Sequence, residues 1–282
     1  MKTSEMTLLA HAHDGGAVTE ISLPRRAVAL GHVLTRREEG YHGKFRRAVG
    51  SFDGSTSIHD AMVLKDPSVL SALGVDPWQR ASFREAYYGD GDLPEAISAG
   101  AAAPRCFTAG REASVTVLRR GSRLAAEFAM PLEGNGIAFR LVKTLVLRGD
   151  RERFEARFRL ENFGAETASG WLCSEWNLNM LSGSGPDRYY EGFGEARALS
   201  SSGVAMGVRG FRVVDAWRNV AAGATLDREC VVLREPVETA SLSESGAEKI
   251  HQGVCLRVLF PVRLEPGHKE HFSILWSFNS VD

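Results

Sequence analysis

Ser174-Glu175-Trp176-Asn177-Leu178-Asn179-Met180-Leu181 alternates polar and large apolar side chains from Glu175 onward. An extended strand turns successive side chains to opposite faces. Trp176, Leu178 and Met180 therefore share one face, and Glu175, Asn177 and Asn179 share the other. The second face is bracketed by Trp171 and Cys173 before it and by Leu181 after it. A carboxylate and two amides within an apolar strand are costly to bury without partners. Either other protein groups satisfy them, or they floor a cleft that receives something polar. Turn-rich residues 182–187 follow, and then Arg188-Tyr189-Tyr190.

Alternation continues outward in both directions. Phe139, Leu141, Leu145 and Leu147 form an apolar row broken by Lys143. Phe154, Ala156, Phe158 and Leu160 alternate with Glu155, Arg157, Arg159 and Glu161, the pattern of a half-buried antiparallel strand. Phe272, Ile274, Trp276 and Phe278 share a face, and Val115 and Val117 alternate with polar neighbours. Further apolar runs fall at 204–214, 229–233 and 254–264, and residues 5–35 read as short strands broken by Gly15-Gly16 and Pro24. Gly121-Ser122, Gly134-Asn135-Gly136, Gly149-Asp150 and Pro266-Gly267 punctuate the later runs as turns. Asp76-Pro77 predicts a short helix, with aspartate as N-cap and proline at the first helical position. It would carry Trp78, Phe83, Tyr87 and Tyr88 and stop at Gly89-Asp90-Gly91-Asp92. Many strands with few helices predict an all-β chain: a large antiparallel β-sandwich with one or two short helices, in a single domain over 1–282.

The 34 basic and 35 acidic residues leave a net charge of -1, which offers no electrostatic footprint for nucleic acid. No apolar run is long enough for a membrane, and Met1-Lys2-Thr3-Ser4-Glu5 opens no secretory signal, so the expectation is cytoplasmic. Cys106, Cys173, Cys230 and Cys255 lie far apart and read as buried free thiols. No glycine-rich phosphate loop, nucleophile elbow or zinc-protease motif is present. His11 and His13 would share a strand face, but they lack a third ligand, and a frayed terminus explains them better than a metal. No motif demands a cofactor; a divalent cation beside Glu175 or Asp187 stays open.

The polar face at Glu175, Asn177 and Asn179 has three readings: a structural network, a polar floor for a sugar, or a catalytic carboxylate with neighbours. A pyranose has hydroxyl edges and flat C–H faces, so sugar sites combine planar polar groups with aromatic platforms. Tyr189, Tyr190 and Trp217 are candidate platforms, Asp187-Arg188 reads as an ion pair or turn anchor, and Arg36, Glu38 and His42 line a site or else form a charged docking surface or solvated loop. Glycoside hydrolysis needs a second carboxylate, which the sequence does not point out. Epimerisation needs a base and an acid on opposite sides of the anomeric centre, for which Glu175 with His32, His42, His59 or His251 are candidates.

Four segments occur in a familiar order: residues 34–42 (Leu-Thr-Arg-Arg-Glu-Glu-Gly-Tyr-His), Ser57-Ile58-His59-Asp60, Ser174-Glu175-Trp176-Asn177-Leu178 with Pro186-Asp187-Arg188-Tyr189-Tyr190, and Leu242-Ser243-Glu244-Ser245-Gly246 with Val254-Cys255-Leu256. Together they resemble the C-terminal β-sandwich of the α-amylases and 4-α-glucanotransferases of glycoside hydrolase family fifty-seven, over residues 14–282. The resemblance implies a galactose-mutarotase-like supersandwich and a setting in α-1,4-glucan metabolism. It also implies that the catalytic glutamate and aspartate belong to an N-terminal barrel with no counterpart here. The expectation is a carbohydrate-associated domain that is not catalytic alone. It would bind α-glucan or maltooligosaccharide, complete a separately encoded barrel in trans, or self-associate as a homo-oligomer through the face a barrel would cover. Its ligand-binding residues would be Glu175, Asn177, Asn179, Asp187, Arg188, Tyr190, Arg36, Glu38 and His42. The alternative is a sugar mutarotase or epimerase using Glu175 with a histidine such as His59. A third possibility is a remnant that only folds.

Overall fold

Three short strands open the chain: β1 (Thr7–His11), β2 (Ala17–Leu23) and β3 (Val28–Ala29), joined in that order in a small antiparallel sheet. This is a computed structural model, and it describes residues 1–43, 45, 67–195, 197–243 and 246–281. Gly15 and Gly16 turn β1 into β2 at φ 62° and 74°, left-handed geometry that glycine adopts without a Cβ clash. The amino terminus is not frayed. The Met1 ammonium donates to the Leu8 carbonyl at 2.7 Å. His11 ends β1, and His13 lies in the following tight turn with its ring edge-on to that of His11, 5.3 Å away.

The other strands are β4 (Arg84–Gly89), β5 (Cys106–Phe107), β6 (Ser114–Arg120), β7 (Arg123–Gly134), β8 (Ile137–Arg148) and β9 (Arg153–Asn162). They continue with β10 (Ala168–Leu178), β11 (Arg188–Glu191), β12 (Arg197–Ala198), β13 (Gly203–Asp215), β14 (Val220–Ser243), β15 (Gly246–Leu264) and β16 (Lys269–Asn279). Ten of them form one path, β5-β4-β10-β15-β14-β16-β9-β8-β7-β6, with β13 and its neighbours attached to β14. The path folds back on itself, so the β4-β10-β15 part faces the β7-β8-β9 part in a sandwich.

Period-two alternation builds the core between these layers. Trp176, Leu178 and Met180 are fully buried, as are the alternating residues of β9 and β16. Trp176 packs on Phe154 at 5.9 Å and on Trp276 at 5.1 Å, while Phe83 meets Phe158 at 5.3 Å. The valines of β6 behave differently: Val115 and Val117 are 50% and 60% exposed because β6 is the outermost strand of the sheet.

Lys143, the break in the apolar row of β8, points into this core rather than away from it. Its Nζ is wholly buried, 2.5 Å from Oε2 of Glu85 on β4, and it donates to the carbonyls of Gly15 (2.7 Å) and Phe83. The ammonium also stands 4.0 Å over the Phe83 ring. Ser174 Oγ donates to the other Glu85 oxygen at 3.0 Å. Burial pushes the Glu85 carboxyl up and the Lys143 ammonium down, against their mutual attraction. An ion pair thus bridges the two layers through the middle of the sandwich.

The helix expected from Asp76 onward is absent. Residues 74–81 run without regular helix or strand and lead into β4; Phe83, in the bend just before it, and Glu85 and Tyr87 within it face the core, while Arg84, Ala86 and Tyr88 face away. The Asp76 carboxylate is engaged not as a helix cap but by arginine side chains, and period-two burial prevails over the local signal. Helical segments lie elsewhere, among them Pro94–Ser98 and a 3-10 segment at Pro67–Leu73.

Candidate functional site

The second face of β10 is the floor of the site. Glu175 is paired across the sheet with Arg84 on β4 and with Arg257 on β15. Asn177 is paired with Cys255, which is paired in turn with Glu235 on β14. Over this floor opens a cavity of about 390 Å³ lined by Glu175, Arg257, Glu235, Tyr88, Trp78 and Phe107, among others. Trp78 stacks on Phe107 with centroids 5.0 Å apart.

The polar residues of β10 divide their roles. Asn177 is fully buried and fully used. Its Nδ2 donates to Ala81 O (2.9 Å) and to Glu175 Oε1 (2.7 Å), and its Oδ1 accepts from Arg80 Nη1 (3.0 Å). Its backbone N–H donates to Ser82 Oγ at 2.9 Å. This part of the face is a structural network. Glu175 is only half-buried and keeps a side toward the cavity.

Charges around the cavity are matched. Arg257 pairs with Glu235 and donates to the carbonyls of Ile97 (2.9 Å) and Ser98 (3.2 Å), which ties the short helix to the floor. Arg84 pairs with Asp14. Asp76 accepts from Arg36 at 2.7 Å and from Arg80 at 2.7 and 2.8 Å. Cys173 and Cys255 also line the cavity, but burial pushes the Cys173 thiol up to about 12 and the Cys255 thiol upward too, which leaves both poor nucleophiles.

Burial alone would push Asp76 up, but hydrogen bonds from Arg36 and Arg80 outweigh it and hold the carboxyl below its ordinary value of 3.8. A group depressed on folding stabilises above its unfolded value and loses that contribution as pH falls through the folded one. Urea unfolding of the wild type should therefore show a loss of stability below about pH 4, and Asp76→Asn should be less stable at pH 7 with a flatter acid limb.

On the far side of Arg36 and Arg80, which line both spaces, lies a second cavity of about 780 Å³. Asn179, His32, His42, Gln79 and Gln252 are on its wall. Of the residues singled out in the sequence, Glu175 thus belongs to the first cavity, Asn179 and His42 to the second, and Arg36 to both. Glu38 is exposed on the segment beside them. Asp187 and Arg188 stand apart, lining neither cavity: Arg188 pairs with Asp187 at 3.2 Å and Asp215 at 3.4 Å and lies over exposed Trp217 at 5.6 Å. Tyr190 requires a correction. Alternation in β11 turns its ring fully into the core against Phe193, so it offers no platform. Ser57 to Asp60, with His59, and Glu244-Ser245 lie outside the described residues. Among the described residues no histidine lines the Glu175 cavity, and no three of His, Cys, Asp and Glu converge as a metal site. Likewise no described helix is long and apolar enough to cross a membrane.

Trp78, Glu235 and Arg257 were not anticipated. The Asp76-Pro77 signal places Trp78 on a helix, away from this floor. Arg257 carried a usable signal, because it interrupts the run Val254-Cys255-Leu256-Arg257-Val258-Leu259 as Lys143 interrupts its own row.

The family model "Alpha-amylase/4-alpha-glucanotransferase, C-terminal" matches residues 1–274. Alpha-amylase 1 of Dictyoglomus thermophilum is 28% identical over 264 residues, which cover 90% of this chain and 36% of the amylase. The 4-alpha-glucanotransferase of Thermococcus kodakarensis is 26% identical over 258 residues, covering 89% of this chain and 35% of the transferase. The chain therefore spans about a third of the length of these relatives. Among solved structures, 4-alpha-glucanotransferase from Thermococcus litoralis superposes with a TM-score of 0.72 at 18% identity, covering 99% of this chain and 37% of that one. A galactose mutarotase-like protein from Clostridium acetobutylicum gives 0.59 at 8% identity, covering 100% and 94%. At such identities these likenesses show a shared fold, the galactose-mutarotase-like sandwich. The chain belongs to the family of C-terminal domains of α-amylases and 4-α-glucanotransferases.

Proposed function

We propose that this domain binds α-1,4-glucan in the cavity over Glu175 and acts in glucan metabolism as the sugar-holding partner of a catalytic barrel, in the same protein or in trans. The observation that carries the reading is the pairing of a stacked aromatic, Trp78 on Phe107, with the half-buried carboxylate of Glu175 in one cavity. Aromatic faces suit the C–H surface of a pyranose, and carboxylate and guanidinium edges suit its hydroxyls. Matched charges favour a neutral sugar over a phosphorylated one. Binding is favoured over catalysis because Glu235 is occupied by Arg257 and Glu175 accepts from Asn177. Epimerisation with Glu175 as base would need an acid opposite it, and among the described residues no histidine lines this cavity. The reading includes a cytoplasmic setting, supported by four buried and unpaired cysteines.

Calorimetric titration with maltoheptaose tests it. The wild type should bind saturably, and Trp78→Ala and Glu175→Gln should each weaken binding by roughly tenfold or more at unchanged fold, as expected for losing a stacking face or a charged hydrogen bond. A wild type that takes up no maltoheptaose defeats the proposal.

A further inference from the structure

The glucan reading leaves the length of the ligand open, and the larger second cavity unused. Three features connect that cavity to the first. Arg36 and Arg80 line both spaces, so the two cavities adjoin at these residues, whose guanidiniums are held by Asp76. The same strand face passes beneath both: Glu175 under the first, Asn177 at the partition, and the chain continuing to Asn179 under the second. At about 3.3 Å per residue, Glu175 and Asn179 lie roughly 13 Å apart along the chain, more than one sugar ring would need. The third feature is Asn179 itself. Its Oδ1 has no hydrogen-bond partner among the described residues, although its neighbour two positions back is completely satisfied. Asn179 lines the second cavity, and this buried acceptor, unpaired where such atoms seldom are, would meet a ligand donor after a small side-chain rotation.

We infer that the two cavities are adjoining subsites of one groove, and that the ligand is a linear α-glucan several glucose units long that crosses the Arg36–Asp76–Arg80 partition. The inference rests on the glucan reading and adds its direction and extent: along β10, from Trp78 and Glu175 toward Asn179. Bridging two subsites raises affinity without new chemistry, since the second contact becomes intramolecular.

The experiment compares maltose, maltotriose and maltoheptaose on the full chain by calorimetry. Wild type should bind maltoheptaose roughly tenfold or more tightly than maltose. Asn179→Ala and Gln79→Ala, both in the second cavity only, should each lower maltoheptaose affinity by about 3- to 10-fold and leave maltose unchanged. Gln79 is exposed, so its variant tests the groove even if Asn179→Ala disturbs the fold. Trp78→Ala should weaken all three sugars. Equal affinity for the three sugars, or wild-type maltoheptaose binding by Gln79→Ala and by a folded Asn179→Ala, overturns the groove while the glucan reading stands. Failure of wild type to bind any of the three overturns both.

Discussion

Lys143→Ala is expected to destabilise the domain by about 3–5 kcal/mol, the usual cost of leaving a buried partner charge alone. Glu85, wholly buried on β4, would lose its counter-ion, and the carbonyls of Gly15 and Phe83 would lose a donor. The pH dependence should identify the cause. Without the ammonium, burial would hold the Glu85 carboxyl above its ordinary value of 4.5. A folded value raised in this way favours the protonated carboxyl, so the stability it confers is full below about pH 4.5 and lost as pH rises through the new value. The deficit of Lys143→Ala relative to wild type should therefore grow from acid toward neutral pH in urea titrations. Adding Glu85→Leu should recover part of it, since a buried pair replaced together costs far less than one partner removed. A single variant within about 1 kcal/mol of wild type at neutral pH would show that the pair does not bridge the layers in solution.

Trp176→Ala should cost a similar amount, about 3–5 kcal/mol, because it empties space between Phe83, Phe154 and Trp276 that the core cannot refill. Trp176→Phe should cost much less. The indole Nε1 is buried without an acceptor among the described residues, so the smaller ring removes an unmet polar group together with apolar area. Trp176 supports β10 from behind while Glu175 faces the cavity in front. Trp176→Phe should therefore keep wild-type maltoheptaose affinity while its denaturation midpoint falls, and a loss of binding without a fall in stability would contradict that division of faces.

Strand residues declare themselves locally, which is why the two faces of β10 and the apolar rows of β9 and β16 were legible from spacing alone. Long-range pairing was not. Lys143 marked itself as an exception, but its partner comes from the opposite layer, and no periodicity connects the two. Asp76-Pro77 carries a sound helix-start signal, yet the alternation of Phe83, Glu85 and Tyr87 across the core was the stronger term. The site was half legible for the same reason. Glu175, Asn177 and Asn179 could be placed on one face, whereas Trp78 and Arg257 reach them only through tertiary folding, and Tyr190 is drawn inward by the alternation of its own strand.

β14 has a consequence for how a ligand is felt. Along its length this strand pairs with β13, with β15 beside the cavity, and with β16 leading to the opposite layer. The two halves of the sandwich thus share a backbone ladder, and are expected to melt together as one cooperative unit. Free energy gained by occupying the floor at Glu175 is therefore spread over the whole cooperative unit, at RT ln(1 + [L]/Kd), about 2.7 kcal/mol when the ligand stands at a hundred times its Kd. With the proposed glucan bound, such a module would register the ligand as a whole and become harder to unfold as the sugar concentration rises.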